Sequence, residues 1–337
     1  MQSLSVRYRP QTLEEVCGQK SIVKILQKQV QLNKIKNCLL LCGPSGTGKT
    51  TIARAFARLV NDNIGEPIEI DAASNSGVDN VRSIIAQANE RAIDAKYKIF
   101  IIDEAHMLSS AAWAAFLKGI EEPPAYTIYI FCTTDPQKVP ATIQNRVMRF
   151  NLTKLDIDTI IDRLEYVCRA EQLSYTPDAL EFIAKLSNGG MRDALANLEK
   201  VVAYGDISIE NTLECLGTFS YRLCFNLVNA IIDGDETTIL SILNSLYMDG
   251  YDLKYFVEHF VNFVLDLSKF TIFGNMDLIK IPKSMETDVQ YVVGIENAKK
   301  YFLYLIDKLF DLKLILKDDT NIKDTVEIWF LKMVRGV

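Results

Sequence analysis

Residues 43–50 read Gly43-Pro44-Ser45-Gly46-Thr47-Gly48-Lys49-Thr50. Three glycines free the backbone to curl, so that successive N–H groups can converge on one anion. A lysine and a hydroxyl then follow where a helix would begin. This is the full G-x-x-x-x-G-K-[ST] spacing of a phosphate-binding loop. Its setting suits the chemistry: the apolar run Cys38–Cys42 precedes it, and the helical stretch 51–60 follows. The N–H groups of such a loop point inward at a helix N-terminus. Lys49 is placed to reach the β- and γ-phosphates of a nucleotide, and the Thr50 hydroxyl to bind Mg²⁺. Thr51 completes the nucleotide-binding set.

A second stretch, Lys98-Ile99-Phe100-Ile101-Ile102-Asp103-Glu104, is an apolar strand ending in two acids. Asp103 stands where a carboxylate would hold Mg²⁺ through its water shell, and Glu104 where one would polarise an attacking water. Strand ends are often acidic, so the pair gains its meaning from the phosphate loop. A third apolar run, Ile130-Phe131-Cys132, ends in Thr133-Thr134-Asp135. Beside Asp103 and Glu104 in one parallel sheet, Thr133 or Thr134 would sense a γ-phosphate or position water. Strand-end threonines are common, however. Arg146 and Arg192 come later, and spacing alone does not distinguish either from a surface charge. His106 reads as a packing or polar-network residue rather than a catalyst.

Elements must hold these residues. Within 1–150, short apolar runs at 38–42, 68–70, 99–102 and 128–132 alternate with helix-length spacers. This predicts a parallel sheet buried on both faces and covered by helices. Pro123-Pro124 stops the helix that begins near Ser110. After about Leu152 the β signal fades, and Thr176-Pro177-Asp178 marks a helix start. From about 213 the pattern stays helical, interrupted near 274–284. Phe302, Leu305, Leu309, Leu312 and Leu316 step by three and four, as a helix-packing seam does. Three parts are expected: an α/β nucleotide-binding domain over 1–152, a small helical domain over 153–212 and a terminal helical domain over 213–337.

Composition bounds the remaining possibilities. The 337 residues carry 37 Lys+Arg against 43 Asp+Glu, a net charge of −6, with 49% hydrophobic residues. That excludes disorder and a disulfide-built mini-protein, and argues against a basic, DNA-coating protein. The charge is uneven, since residues 1–60 hold ten basic and two acidic side chains. A basic first segment on an acidic body suits an anionic partner such as nucleotide or nucleic acid, although solvated helix faces account for part of the excess. Seven cysteines without a Cys-x-x-Cys, most inside apolar runs, suit buried thiols in a reduced, cytoplasmic setting. With two histidines, His106 and His259, a zinc site lacks plausible ligands. The first ten residues lack the apolar core of a signal peptide. The apolar stretch 255–273 contains Glu258, His259, Asp266 and Lys269, so it reads as an amphipathic core helix and not a membrane span.

Together, Arg9-Pro10-Gln11, Val16-Cys17-Gly18-Gln19, the phosphate loop, Ile70-Asp71-Ala72-Ala73-Ser74-Asn75, Asp103-Glu104-Ala105-His106, Glu121-Glu122-Pro123-Pro124, Thr133-Thr134-Asp135-Pro136 and Gly190-Met191-Arg192-Asp193-Ala194-Leu195 closely resemble one family. It comprises the ATPase subunits of bacterial clamp loaders, the gamma and tau subunits of DNA polymerase III, which are relatives of the small subunits of replication factor C. The likeness is dense over 1–200 and looser beyond. It implies an AAA+ fold: an α/β ATPase domain, a helical lid and a helical collar that assembles five subunits into an open ring. Such a ring opens a sliding clamp with ATP and Mg²⁺, grips primer–template DNA, and releases the clamp on hydrolysis. The resemblance implies that Arg9, Pro10, Val16 and Cys17 frame the adenine pocket. Thr133 and Thr134 become the first sensor and Arg192 the lid's second sensor. Arg146 becomes an arginine finger offered to the neighbouring subunit, and Lys118 a contact to DNA phosphates. A loader must release its DNA, so a modest inner lining of phosphate contacts suits it better than a basic exterior.

Three departures stand out. The family's four-cysteine zinc module is replaced by the cysteine-free 61–67, so no zinc is expected. The finger motif Ser-Arg-Cys becomes Asn145-Arg146-Val147. The sequence stops after the collar, so either the form without the tau extensions for helicase and polymerase or a truncated piece of a longer chain is expected. Two other classes remain: a non-hydrolysing structural subunit that lends Arg146 to a neighbour, and another AAA+ machine such as a branch-migration helicase or protein remodeler. Intact Lys49, Thr50, Asp103 and Glu104 argue against the first. The aromatic-rich helical 213–337, more like a collar than a DNA-reading or threading module, argues against the second.

Overall fold

Cys-Leu-Leu-Leu-Cys is apolar at every position and forms strand β1 (Cys38–Cys42), buried throughout. β2 (Ile68–Asp71), β3 (Lys98–Asp103), β4 (Thr127–Thr133) and β5 (Met148–Asn151) complete a sheet of order β2-β3-β4-β1-β5, every pairing parallel. The computed structural model describes residues 2–216 and 221–334, so the outermost residues of the first and last expected domains lie outside it. The four strands read from the apolar runs are present. The fifth, Met-Arg-Phe-Asn, lies at an edge and buries only Phe150 fully, so it lacks the continuous apolar signature of its neighbours.

Alternation along the central strands sorts side chains to two faces. Leu40, Phe100, Ile102, Tyr129 and Phe131 pack with Trp113 and Phe116 of helix Ser110–Glu121 and with Val81 and Ile84 of helix Val78–Ala88. Leu39, Leu41, Ile99, Ile101, Ile128 and Ile130 pack on the other face with Phe56 of helix Lys49–Val60 and Leu26 of helix Lys20–Gln31. Caps fix where the helices begin. Ser109 Oγ accepts the Ala112 N–H (3.2 Å), and Asp156 Oδ1 accepts the Thr159 N–H (2.7 Å) at the start of helix Ile157–Ala170. Pro123 and Pro124 follow the end of helix Ser110–Glu121, as the sequence predicts.

The strand order positions the chemistry. β4 lies between β1 and β3, with Cys42 opposite Thr133 and Ile102 opposite Phe131. Because all three run the same way, their C-terminal ends open onto one edge of the sheet. The phosphate loop, the strand-end threonines and the strand-end acids therefore meet there.

The chain divides into two compact units: Met1–Ser174 with Ile183–Glu199, and Tyr175–Phe182 with Lys200–Val337. Helices Pro177–Leu186 and Met191–Tyr204 follow helix Ile157–Ala170 along the chain, the first opening at the predicted Pro177. In the second unit the long helix Leu253–Phe273 packs on Ala298–Ile315, whose predicted seam Phe302, Leu305, Leu309 and Leu312 is fully buried. Aromatic rings fill this core: Phe225 meets Phe263 edge-on at 4.9 Å, and Phe260 lies 5.4 Å from Phe330 of helix Ile322–Val334. The predicted interruption contains two 3₁₀ turns, Met276–Leu278 and Lys283–Met285, after a left-handed Gly274. Buried Asp266 accepts the Lys280 N–H (2.8 Å) and pairs with Lys269 (3.0 Å), tying that segment to the long helix. Among the described residues no single helix is long and apolar enough to cross a membrane.

Candidate functional site

At the C-terminal edge of the sheet lies a cleft open to solvent. The phosphate loop forms its floor. Gly46 (φ +73°) and Gly48 (φ +99°) adopt the left-handed conformation that only glycine takes without strain. Gly46 has a second constraint, because a Cβ there would stand 3.0 Å from Gly190 Cα. Its carbonyl accepts the Met191 N–H (3.0 Å), which joins the loop to the start of the helix that carries Arg192. Gly46→Ala is therefore expected to destabilise the protein by about 1–3 kcal/mol and to weaken nucleotide binding. Denaturant unfolding beside nucleotide titration checks this; unchanged stability and affinity would show the loop relaxing freely.

Lys49 is 7% exposed. Its Nζ donates to the carbonyls of Gly43 (2.9 Å) and Pro44 (3.0 Å), and Thr47 Oγ1 also donates to Pro44 O (2.8 Å). Burial pulls the Lys49 ammonium below its ordinary pKa, and the nearby Cys132, Glu104 and Asp103 offset part of that. An ammonium held by two neutral carbonyls is ready to exchange them for anionic oxygens. Thr50 Oγ1 donates to Asp103 Oδ2 (2.7 Å), and Asp103 Oδ1 accepts the Glu104 N–H (2.9 Å). A hydroxyl and a carboxylate side by side are hard oxygen donors of the kind Mg²⁺ takes together with water and phosphate. These two residues fit that ion. Among the described residues, no cluster of three or more His, Cys, Asp or Glu side chains is disposed to hold a metal.

Glu104 has φ +46°, an uncommon conformation for a side chain of its size, at the turn from β3 into the 3₁₀ segment Ala105–Met107. Its Oε2 lies 3.4 Å from Thr134 Oγ1, which donates to it, and 3.3 Å from His106 Nδ1. Thr133 is fully buried, and its Oγ1 accepts the Asp135 N–H (3.1 Å) and faces His106 Nδ1 at 3.3 Å. His106 thus stands in a polar network, as its sequence context suggests.

Part of the lining is apolar: Pro10, Val16 and Cys17 line the cleft together with Tyr8, Leu155 and Leu195. Arg9 and Arg192 line the cleft too. Burial, then the neighbouring Arg54, lowers the Arg9 guanidinium below its ordinary pKa. The Cys17 thiol is pushed up by burial. Leu155 and Arg163 are absent from the sequence reading, because they come from the segment and helix after the sheet and carry no motif of their own. Arg163 donates to the Tyr8 carbonyl (2.6 Å), and the Tyr8 hydroxyl donates to Glu171, which also pairs with Arg7 (3.0 Å). These contacts tie the N-terminal segment to helix Ile157–Ala170.

The structure therefore brings together Arg9, Pro10, Val16, Cys17, the loop residues 45–51, Asp103, Glu104 and Arg192 around one cleft, with Gly43 and Pro44 holding Lys49 and Thr133 and Thr134 behind Glu104. Two residues stand outside it. Arg146 follows the short helix Ala141–Gln144; it donates to Thr142 O (2.8 Å) and pairs with Glu121 Oε1 (2.8 Å). Lys118 is exposed in the last turn of the helix that carries Glu121.

Comparison with known proteins gives several matches. Family models match for the DNA polymerase III clamp loader subunit, ATPase lid domain (residues 159–207), for DNA polymerase III subunits gamma and tau domain III (207–295), for the DNA polymerase III delta subunit (65–156) and for the Rad17 P-loop domain (2–109). DNA polymerase III subunit gamma of Buchnera aphidicola subsp. Schizaphis graminum is 30% identical over 331 residues, covering 91% of each chain. DNA polymerase III subunit tau of Bacillus subtilis is 37% identical over 289 residues, 79% of this chain and 51% of that one. The chain spans about half the length of the tau and gamma/tau relatives it matches. Among solved structures, the Thermotoga maritima RuvB Holliday junction branch migration motor aligns with TM-score 0.54 at 20% identity, over 67% of this chain and 79% of that one. That likeness is one of fold.

Proposed function

The chain belongs to the family of DNA polymerase III gamma and tau subunits, and from that premise we propose that it is the ATP-hydrolysing motor subunit of a sliding-clamp loader. One observation carries the reading. Lys49, Thr50, Asp103, Glu104 and Arg192 converge on a single cleft, while Arg146 lies outside it, paired with Glu121.

In this reading ATP lies with its base against Arg9, Pro10, Val16 and Cys17 and its phosphates over residues 43–51. Lys49 turns from the Gly43 and Pro44 carbonyls to the β- and γ-phosphate oxygens. Thr50 and Asp103 would hold Mg²⁺, which when bound neutralises charge on those phosphates. Glu104 accepts a proton from the attacking water. Thr133 and Thr134 orient that water or the γ-phosphate, and Arg192 reaches the γ-phosphate from its helix. Arg146 leaves Glu121 to stabilise charge on the neighbouring subunit's ATP, so assembly controls turnover. We read 1–152 as the ATPase domain, 153–212 as the lid and 213–337 as the collar of a five-subunit ring. Its partners are the other loader subunits, the clamp and primer–template DNA, the last met by Lys118, in the cytoplasm. The intact Lys49, Thr50, Asp103 and Glu104 set support a hydrolysing subunit over a purely structural one.

Lys49→Ala tests the whole reading. Removing a charged hydrogen-bond donor costs about 1.5–3 kcal/mol, so nucleotide affinity is expected to fall about ten- to a hundred-fold. ATP turnover and clamp loading on primed DNA should fall with it. If all three survive, the reading fails.

A further inference from the structure

We propose that His106 is a positioning residue for hydrolysis, linking Thr133 at the end of β4 to the carboxylate of Glu104. The proposal rests on the reading of Glu104 as the group that activates water.

Three features of Glu104 make a partner necessary. Its backbone sits at φ +46°, its side chain is 41% exposed, and its hydrogen bond from Thr134 is long at 3.4 Å. A half-exposed carboxylate so loosely held samples several rotamers, and a general base must sit within hydrogen-bond reach of its water. His106 also reaches that carboxylate: it is 14% exposed and places Nδ1 3.3 Å from Oε2.

The same nitrogen stands 3.3 Å from Thr133 Oγ1. One imidazole nitrogen cannot treat these two neighbours alike. Bearing a proton, it donates to the carboxylate; bare, it accepts from the hydroxyl. Thr133 Oγ1 already accepts the Asp135 N–H at 3.1 Å, so its own proton is free to be given away. With His106 bare at Nδ1, the chain runs from the Asp135 N–H to Thr133 and from the Thr133 hydroxyl to His106, and Glu104 keeps Thr134 alone. When the Thr133 hydroxyl turns its hydrogen bond to a phosphate oxygen instead, Nδ1 loses that donor. The ring can then take the tautomer protonated at Nδ1, giving up its Nε2 proton to water and taking one at Nδ1, and donate a hydrogen bond to Glu104, fixing the carboxylate. The state of the strand-end threonine thus reaches the base through one ring, with no movement of the main chain.

The position of the polar atom separates this role from simple packing. In asparagine the terminal N and O occupy the place of Nδ1, one bond beyond Cγ; in glutamine they lie one bond further out; leucine keeps bulk and has neither. ATP turnover of the assembled loader with clamp and primed DNA is measured for His106→Asn, His106→Gln, His106→Leu and Glu104→Gln, together with nucleotide affinity. His106→Leu and His106→Gln are expected to lower kcat about ten- to a hundred-fold with KM and affinity unchanged, and His106→Asn to restore most of it. If Glu104→Gln abolishes turnover but His106→Gln and His106→Leu leave kcat intact, the proposal is overturned. An equal fall in all three His106 variants also overturns it, because it marks a packing role. Should His106→Leu fail to bind nucleotide, the contrast between Asn and Gln decides in the same way. Should Glu104→Gln itself retain turnover, the underlying reading of Glu104 is what has failed.

Discussion

Arg146→Ala is expected to lower ATP turnover of the assembled complex by about 10³–10⁵-fold, the range over which arginine fingers act, while leaving nucleotide affinity unchanged. Arg146 does not line its own cleft. It is held by Glu121 and the Thr142 carbonyl, each at 2.8 Å. Both members of the Arg146–Glu121 pair are about two-fifths exposed. Such a surface pair contributes about 0–1 kcal/mol, so exchanging Glu121 for a neighbour's triphosphate costs little. Mixing supplies the direct check. Subunits bearing Arg146→Ala, combined with subunits bearing Lys49→Ala, should recover turnover only at interfaces that join an intact cleft to an intact finger. The isolated chain should hydrolyse ATP feebly and equally well with or without Arg146. High turnover in a proven monomer, lost on Arg146→Ala, would place the finger in its own site and sink the trans reading.

Glu104→Gln is the second large effect: kcat is expected to fall about 10²–10⁴-fold, the usual worth of a positioned general base, with ATP binding intact. The amide matches the carboxylate in shape and still accepts from Thr134, but it cannot take a proton from water. The variant should therefore stop after ATP binding, holding clamp and DNA without releasing them. Single-turnover hydrolysis measured beside clamp retention distinguishes this from loss of binding. A variant that neither binds ATP nor holds the clamp would make Glu104 part of the binding floor instead.

The two substitutions probe residues of different legibility. Glu104 could be placed from the chain alone, because a strand rich in isoleucine fixes where it ends and the phosphate loop supplies the context. Lys49, Thr50 and the loop glycines are legible for the same reason: their geometry follows from left-handed φ values and hydrogen bonds spanning a few residues, as Gly46, Gly48 and the Lys49–Gly43 contact show. Arg146 was indistinguishable from a surface charge until resemblance singled it out, and nothing in the sequence pointed to its pairing with Glu121. Strand β5 was equally silent, since a four-residue edge strand with one fully buried side chain looks like a loop.

The sequence by itself determined the local chemistry: a phosphate loop on a strand, two acids and two threonines on others, and helical segments after them. Tertiary structure decided which of these meet. Only the placement of β4 between β1 and β3 sets Thr133 and Thr134 behind Glu104. Only the approach of Gly190 and Met191 to Gly46 carries Arg192 to the cleft. Thr133 and Glu104 each come within 3.3 Å of the His106 ring for the same reason. A motif is written in short-range sterics and hydrogen bonds, whereas strand order and helix docking are settled by burying two apolar faces at once, a sum over residues far apart in the chain.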